Sequence, residues 1–160
     1  MNTRVASERK STDEELVLAF AQAFRALRER GIVRTNNMPT GEIAERLVAS
    51  RLGVAPAPGN THGYDVLAND IRYQVKGHRV LPGKRGKHYG AVRNLDGHEF
   101  DVLVAVHLDI DFAPIEAFEV RWETVKELSR YNAHVRGHTL AILSKRSLSI
   151  EGIEQFDLAI

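Results

Sequence analysis

The sequence predicts an α/β domain built on a mixed sheet, and changes of hydrophobic period along the chain are the reason. Up to about residue 53, apolar residues recur every three or four positions, as amphipathic helices require. From residue 64 onward, short β-branched and apolar runs take over, interrupted by the helix-like WETVKELSRY. One of these runs, FDVLVAVHLDIDF, is apolar for most of its length, as expected of a central strand covered on both faces. At 160 residues, 43% hydrophobic and 27% charged, the chain suits one domain over 1–160 with a substantial core.

Each element has its own local signal. Ser11 and Thr12, followed by Glu14 and Glu15, give two overlapping capping boxes. Leu16, Phe20, Phe24 and Leu27, with Val17 and Ala23, then keep helical spacing until Gly31. This predicts an accessory helix over about 13–30, with residues 1–12 expected to be flexible. After the connector GIVRTNNMPT, Thr40 is expected to cap GEIAERLVASRL, which carries Ile43, Ala44, Leu47 and Val48 on one stripe and stops at Gly53. VAPAPGNTHG holds two Pro and two Gly and reads as a loop. YDVLA and IRYQVK read as strands joined by a tight turn at Asn69-Asp70. A shorter strand is expected from Ile115 to Val120, then a helix with Trp122, Val125 and Leu128 inward, then a buried strand at TLAIL. The C-terminal SLSIEGIEQFDLAI is expected to form an edge strand or a packed tail.

Composition excludes several chemistries. With no Cys, there are no disulfides, thiolate metal sites or cysteine nucleophiles. No apolar run reaches the length of a membrane span, and MNTRVASERKSTDEE has no hydrophobic leader core, so a cytoplasmic protein is expected. No phosphate-binding Gly loop, dinucleotide fingerprint or GxSxG is present. The net charge of +1 conceals an uneven distribution: residues 76–93 hold Lys76, Arg79, Lys84, Arg85, Lys87 and Arg93 with no acid. Residues 94–160 hold six bases against twelve acids. A basic block of this kind points to a polyanion.

The hairpin brings the chemistry together. If Asn69 and Asp70 are its two loop residues, opposed residues have numbers summing to 139, which sets Asp65 across from Gln74. Side chains alternate, so Gln74, Lys76 and Asp65 share a polar face, while Tyr64, Val66, Tyr73 and Val75 go to the core side. Opposed Cβ atoms stand about 4.5–5.5 Å apart. One patch therefore carries a carboxylate, an amide and an amine.

GYD at 63–65, a short hairpin and QVK at 74–76 resemble the signature of the PD-(D/E)XK nuclease superfamily, in the variant with Gln at the middle acid. GEIAERLVASRLG sets Glu45 where that superfamily commonly has a helical Glu, with Glu42 as its rival. Tyr64 stands where the motif usually has Pro. The resemblance spans roughly residues 40–145. It implies a restriction-endonuclease-like core, helix, three strands, helix, strand (αβββαβ), with the N-terminal helix outside it. It also implies metal-dependent hydrolysis of DNA phosphodiesters, with Mg²⁺ (Mn²⁺ substituting) on Asp65, Gln74, the Val75 carbonyl and Glu45, and catalysis by Glu45, Asp65, Gln74 and Lys76. Hard Mg²⁺ suits such oxygen donors, and Lys76 would orient or deprotonate the attacking water or stabilise the pentavalent state. Arg79, Lys84, Arg85, Lys87 and Arg93, with His62 and His78 beside the site, are expected to contact phosphates. A homodimer would be required to cut both strands together.

Competing readings are a nuclease-fold DNA-binding module that cleaves weakly or not at all, a structural partner subunit, and a helix-turn-helix regulator suggested by GEIAERL. The last lacks a recognition helix within reach, because a Pro/Gly loop follows. His134 and His138 are spaced for metal on a helix, but Gly137 lies between them. His107 is expected to be a satisfied core or edge residue, and Asp109 with Asp111 a solvated strand end.

Overall fold

A computed structural model describes residues 11–83 and 86–158. The chain divides into two compact units, one ending at Arg34 and one starting at Thr35. The first holds helix α1, Asp13–Glu29, opened by a capping box in which Thr12 and Glu15 bond each other's backbone N–H groups. No residue of α1 is buried.

The second unit is α/β. Its elements are α2 (Thr40–Arg51), β1 (Val66–Ala68), β2 (Ile71–Arg79), β3 (Val102–Leu108), β4 (Pro114–Arg121), α3 (Trp122–Leu128), β5 (Arg130–Asn132), β6 (Gly137–Thr139) and β7 (Ile153–Gln155). Five strands form a mixed sheet in the order β1-β2-β3-β4-β7, and β5 with β6 makes a separate hairpin. β2 and β3 are parallel and the other neighbours antiparallel. No helix among the described residues is long and apolar enough to cross a membrane.

Each face of this sheet has its own core. On one, α2 packs Ala44, Val48 and Ala49 against Val66, Tyr73, Val75, Val104 and Val106. On the other, Leu103, Ala105, Phe118 and Val120 lie under Tyr89, Val92, Leu95, Phe100, Val125, Leu140 and Leu143. β3 is therefore covered on both sides, as its continuous apolar run requires. Where β2 and β3 begin, Arg72 grips the Asp101 carboxylate through Nε and Nη2 (3.1 and 2.7 Å), and Asp101 also accepts from the Arg72 backbone N–H. The Arg72 guanidinium holds the Asp101 carboxyl below the usual carboxylate range.

Four local expectations are corrected. Thr40 is the first residue of α2 rather than its cap, and Pro39 takes the cap position. Tyr64 packs in the second core, not beside Val66, because the ladder stops at Val66 and the chain bends at Asp65. TLAIL does not join the sheet. Leu140 and Leu143 are buried, but that backbone bonds the loop at Lys87 and Tyr89. The sheet's last strand is β7, from the C-terminal tail. After α3, Tyr131 lies in β5 rather than continuing the helix.

Gly77 sets how closely α2 approaches β2. A Cβ added there would lie 2.6 Å from the Thr40 carbonyl oxygen and 3.1 Å from the Ala44 Cβ. Gly77→Ala is therefore expected to force the start of α2 outward and to destabilise the fold by about 1–3 kcal/mol, read by urea or thermal unfolding.

Candidate functional site

Asn69 and Asp70 both take left-handed φ, 49° and 62°, as a two-residue type I′ turn demands. The register is Val66 to Tyr73, Leu67 to Arg72 and Ala68 to Ile71, so opposed numbers sum to 139. At Asp65 the backbone bends: its N–H still donates to the carbonyl of Tyr73 (2.8 Å), the partner of Val66, and its side chain adds further bonds to β2. Asp65 Oδ2 accepts from the Gln74 Nε2 amide and from the Val75 backbone N–H (2.7 Å). The Arg72 carbonyl accepts from Asp101 on the β3 side, so the alternate residues Tyr73 and Val75 turn their backbone groups toward β1. The Val75 carbonyl thus shares an edge with the Asp65 carboxylate.

Gln74 and Lys76 stand on the second-core face, level with Leu103 and Ala105 of β3. They form the floor of an open cleft of about 400 Å³, walled by His62 and Gly63 on one side and by Ala91, Arg93, Asn94 and Glu99 on the other. The second wall is irregular chain held from behind. Trp122 Nε1 donates to the Leu95 carbonyl (2.9 Å), the His98 ring stacks on Trp122, and Val92 exchanges backbone bonds with His138 of β6. Gly63 allows the walls to meet, because a Cβ there would lie 2.2 Å from the Glu99 Cβ.

The Lys76 ammonium donates to the Ala91 carbonyl (3.0 Å). Burial pushes its pKa below the ordinary lysine value; Asp65 and Glu45 act in the opposite sense, and Arg93 reinforces the depression. Glu45, on α2, is thus electrostatically coupled to Lys76. Its rival Glu42 instead accepts from the Thr35 backbone N–H (2.9 Å).

The other sequence candidates separate by location. His62 and Arg93 line the cleft and are exposed. Lys87 is exposed on the loop that bonds Ile142. Lys84 and Arg85 lie outside the described residues. Arg79 donates to the Ile110 carbonyl and lies 4.3 Å from the Phe112 ring centroid, on the opposite face of β2 from Lys76. The His78 ring packs edge-on against His107 and Tyr89, and burial pushes its pKa down, with His107 adding to the effect.

His107 belongs to a buried chain. The Leu143 N–H donates to the Tyr89 hydroxyl, which lies 2.7 Å from His107 Nε2, while Nδ1 lies 3.1 Å from Glu116. Burial raises the Tyr89 pKa, so the phenol keeps its proton. Asp109 accepts from the N–H groups of Asp111 and Ala113 and closes a turn. His134 and His138 sit in a hairpin, not on one helix.

Among the described residues no three His, Asp or Glu side chains gather as a metal cluster. The candidate donors are a carboxylate (Asp65), an amide that presents its oxygen once its terminal group turns (Gln74) and the Val75 carbonyl; the Glu45 carboxylate stands on α2, which packs on the first-core face. Hard Mg²⁺ binds through one or two carboxylates and keeps several waters, so these donors fit it. Sequence reasoning missed Asn94 and Glu99, which hydrogen-bond each other (2.7 Å) at the cleft wall.

No protein-family model and no curated protein matches the chain, so the functional reading rests on this geometry. The half-buried Lys76 makes the first test. Lys76→Met removes a charge that burial disfavours, and the variant should melt above the parent at pH 7. Because the folded-state pKa of Lys76 is depressed, its cost is complete below that pKa and fades as pH rises toward the unfolded value near 10.5. The gap between the two melting temperatures should narrow over that window.

Proposed function

We propose that the chain is a metal-dependent endonuclease that hydrolyses DNA phosphodiester bonds in the cytoplasm, of restriction or repair type with a restriction-endonuclease-like core. The observation that carries this reading is the contact of Asp65 with Gln74 and with the Val75 N–H, beside an open cleft whose lining includes Gln74 and the half-buried Lys76. Asp65, Gln74, the Val75 carbonyl and Glu45 would hold Mg²⁺ or Mn²⁺. A bound divalent ion supplies Lewis acidity toward the phosphoryl oxygens and lowers the pKa of water. Lys76, its ammonium weakened by burial, exchanges a proton with the attacking water or stabilises the anionic oxygens of the transition state. His62 and Arg93 hold phosphates along the cleft, and Lys87 extends the basic track. Cutting both strands together requires two copies, one cleft for each strand.

A second reading, a DNA-binding module of the same fold with little or no cleavage, has one observation in its favour. Gln74 presents its N–H donor to Asp65, so the pair satisfies itself without an ion.

Supercoiled DNA incubated with the purified protein, in Mg²⁺ or Mn²⁺ and in chelator, separates the two. Metal-dependent nicking is expected, reduced at least about 100-fold in Asp65→Ala and in Lys76→Met, with DNA binding retained. Binding without cleavage would favour the second reading. Nicking that persists in both variants would remove the catalytic assignment.

A further inference from the structure

We propose that α1 is a self-association helix, pairing antiparallel with α1 of a second copy of this chain. The inference stands apart from the nuclease reading, because it rests on the first unit alone. In the single chain, Leu16, Val17, Leu18 and Phe20 are 58%, 68%, 57% and 62% exposed, and no residue of the helix is buried. At 100° per residue, Leu16, Phe20, Ala23, Phe24, Leu27 and Val17 share one stripe about 120° wide. The Phe20 and Phe24 rings stack with centroids 5.9 Å apart, which makes the middle of the stripe a continuous aromatic surface. A contiguous apolar stripe of this kind in water marks an interaction surface.

Charge selects the occupant and its direction. The first turn of α1 carries Asp13, Glu14 and Glu15, whereas Arg25 and Arg28 stand toward its other end. Glu14, Arg25 and Arg28 border the same side of the stripe. A two-fold axis across paired helices lays each border along itself in reverse, so with Phe20 near the axis, Glu14 of each copy meets Arg28 of the other. A parallel pair would set acids against acids and bases against bases. The helix therefore matches itself, with each ion pair formed twice. Seventeen residues span about 26 Å, a small interface, so association is expected on the order of micromolar.

Sedimentation velocity of the full chain across the micromolar range tests the pairing. A monomer–dimer equilibrium is expected, and Phe20→Glu should weaken it by about tenfold or more, since it buries a charge at the seam. Phe20 is exposed in the single chain, so the variant should keep the thermal unfolding of residues 35–160. Glu14→Arg and Arg28→Glu should each weaken the dimer. Their combination in one chain should restore it to within about threefold of the parent. The restoration also excludes a simple helix-dipole effect, because both reversals oppose the dipole. A monomer at every concentration, a dimer indifferent to Phe20→Glu, or a double reversal no better than the single ones would each overturn the proposal.

Discussion

Asn69 and Asp70 hold left-handed backbone angles at the tip of the first hairpin, and the whole cleft depends on them. Asn and Asp visit that region more readily than other non-Gly residues, which is why a two-residue turn forms there. A two-residue turn leaves one register available, and a slip of one position would exchange the two faces of β2. Gln74 and Lys76 would then lie under α2, and Val75 would stand in the cleft. The last ladder pair is Val66 with Tyr73, and at the preceding residue, Asp65, the chain bends and turns its carboxylate onto Gln74 and the Val75 N–H. The turn, the bend and the carboxylate form one arrangement.

The second core turns that arrangement into a site. Gln74 and Lys76 lie at the margin of an apolar layer made of loop residues such as Val92, Leu95 and Phe100, and this layer buries the amine. A lysine there opposes folding, because burial disfavours its charge. Gly77, the next residue, brings α2 close behind the strand, which keeps Glu45 electrostatically coupled to the same amine. An unfavourable charge, the Asp65–Gln74 contact and an open cleft lie within a few residues of one strand, and Glu45 reaches the same amine electrostatically, a concentration typical of functional sites.

Regular elements were legible in the sequence because their periods report burial directly. The stripe of α2, the continuous run of β3 and the turn at Asn69-Asp70 each follow from residue type at fixed spacing. Tyr64 was assigned to the wrong face because alternation holds only while the strand continues, and the chain bends at Asp65. TLAIL carries a strand's composition, yet its partners are loop residues Lys87 and Tyr89, a non-local pairing that composition does not encode. The cleft wall was illegible for a similar reason. Asn94 and Glu99 occupy irregular chain fixed by Trp122, some 25 residues downstream, and no period marks such a position. The N-terminal helix showed its apolar stripe plainly, but periodicity says only that the stripe is to be covered, not by what.

Magnesium titration of the parent protein and of Gln74→Glu, by calorimetry and by melting, tests the Asp65–Gln74 pair most directly. The Gln74 amide already touches the Asp65 carboxylate, so the substitution sets a second carboxylate against the first. With charge centres about 4 Å apart and an effective dielectric near 20, the two repel by about 4 kcal/mol without metal. The metal-free variant should then be less stable near neutral pH, or one carboxyl should titrate above its usual range. Mg²⁺ relieves the repulsion, so the predicted result is tighter binding and a larger metal-induced rise in melting temperature than in the parent. Equal affinities and equal shifts in the two proteins would contradict a shared ion at Asp65 and Gln74.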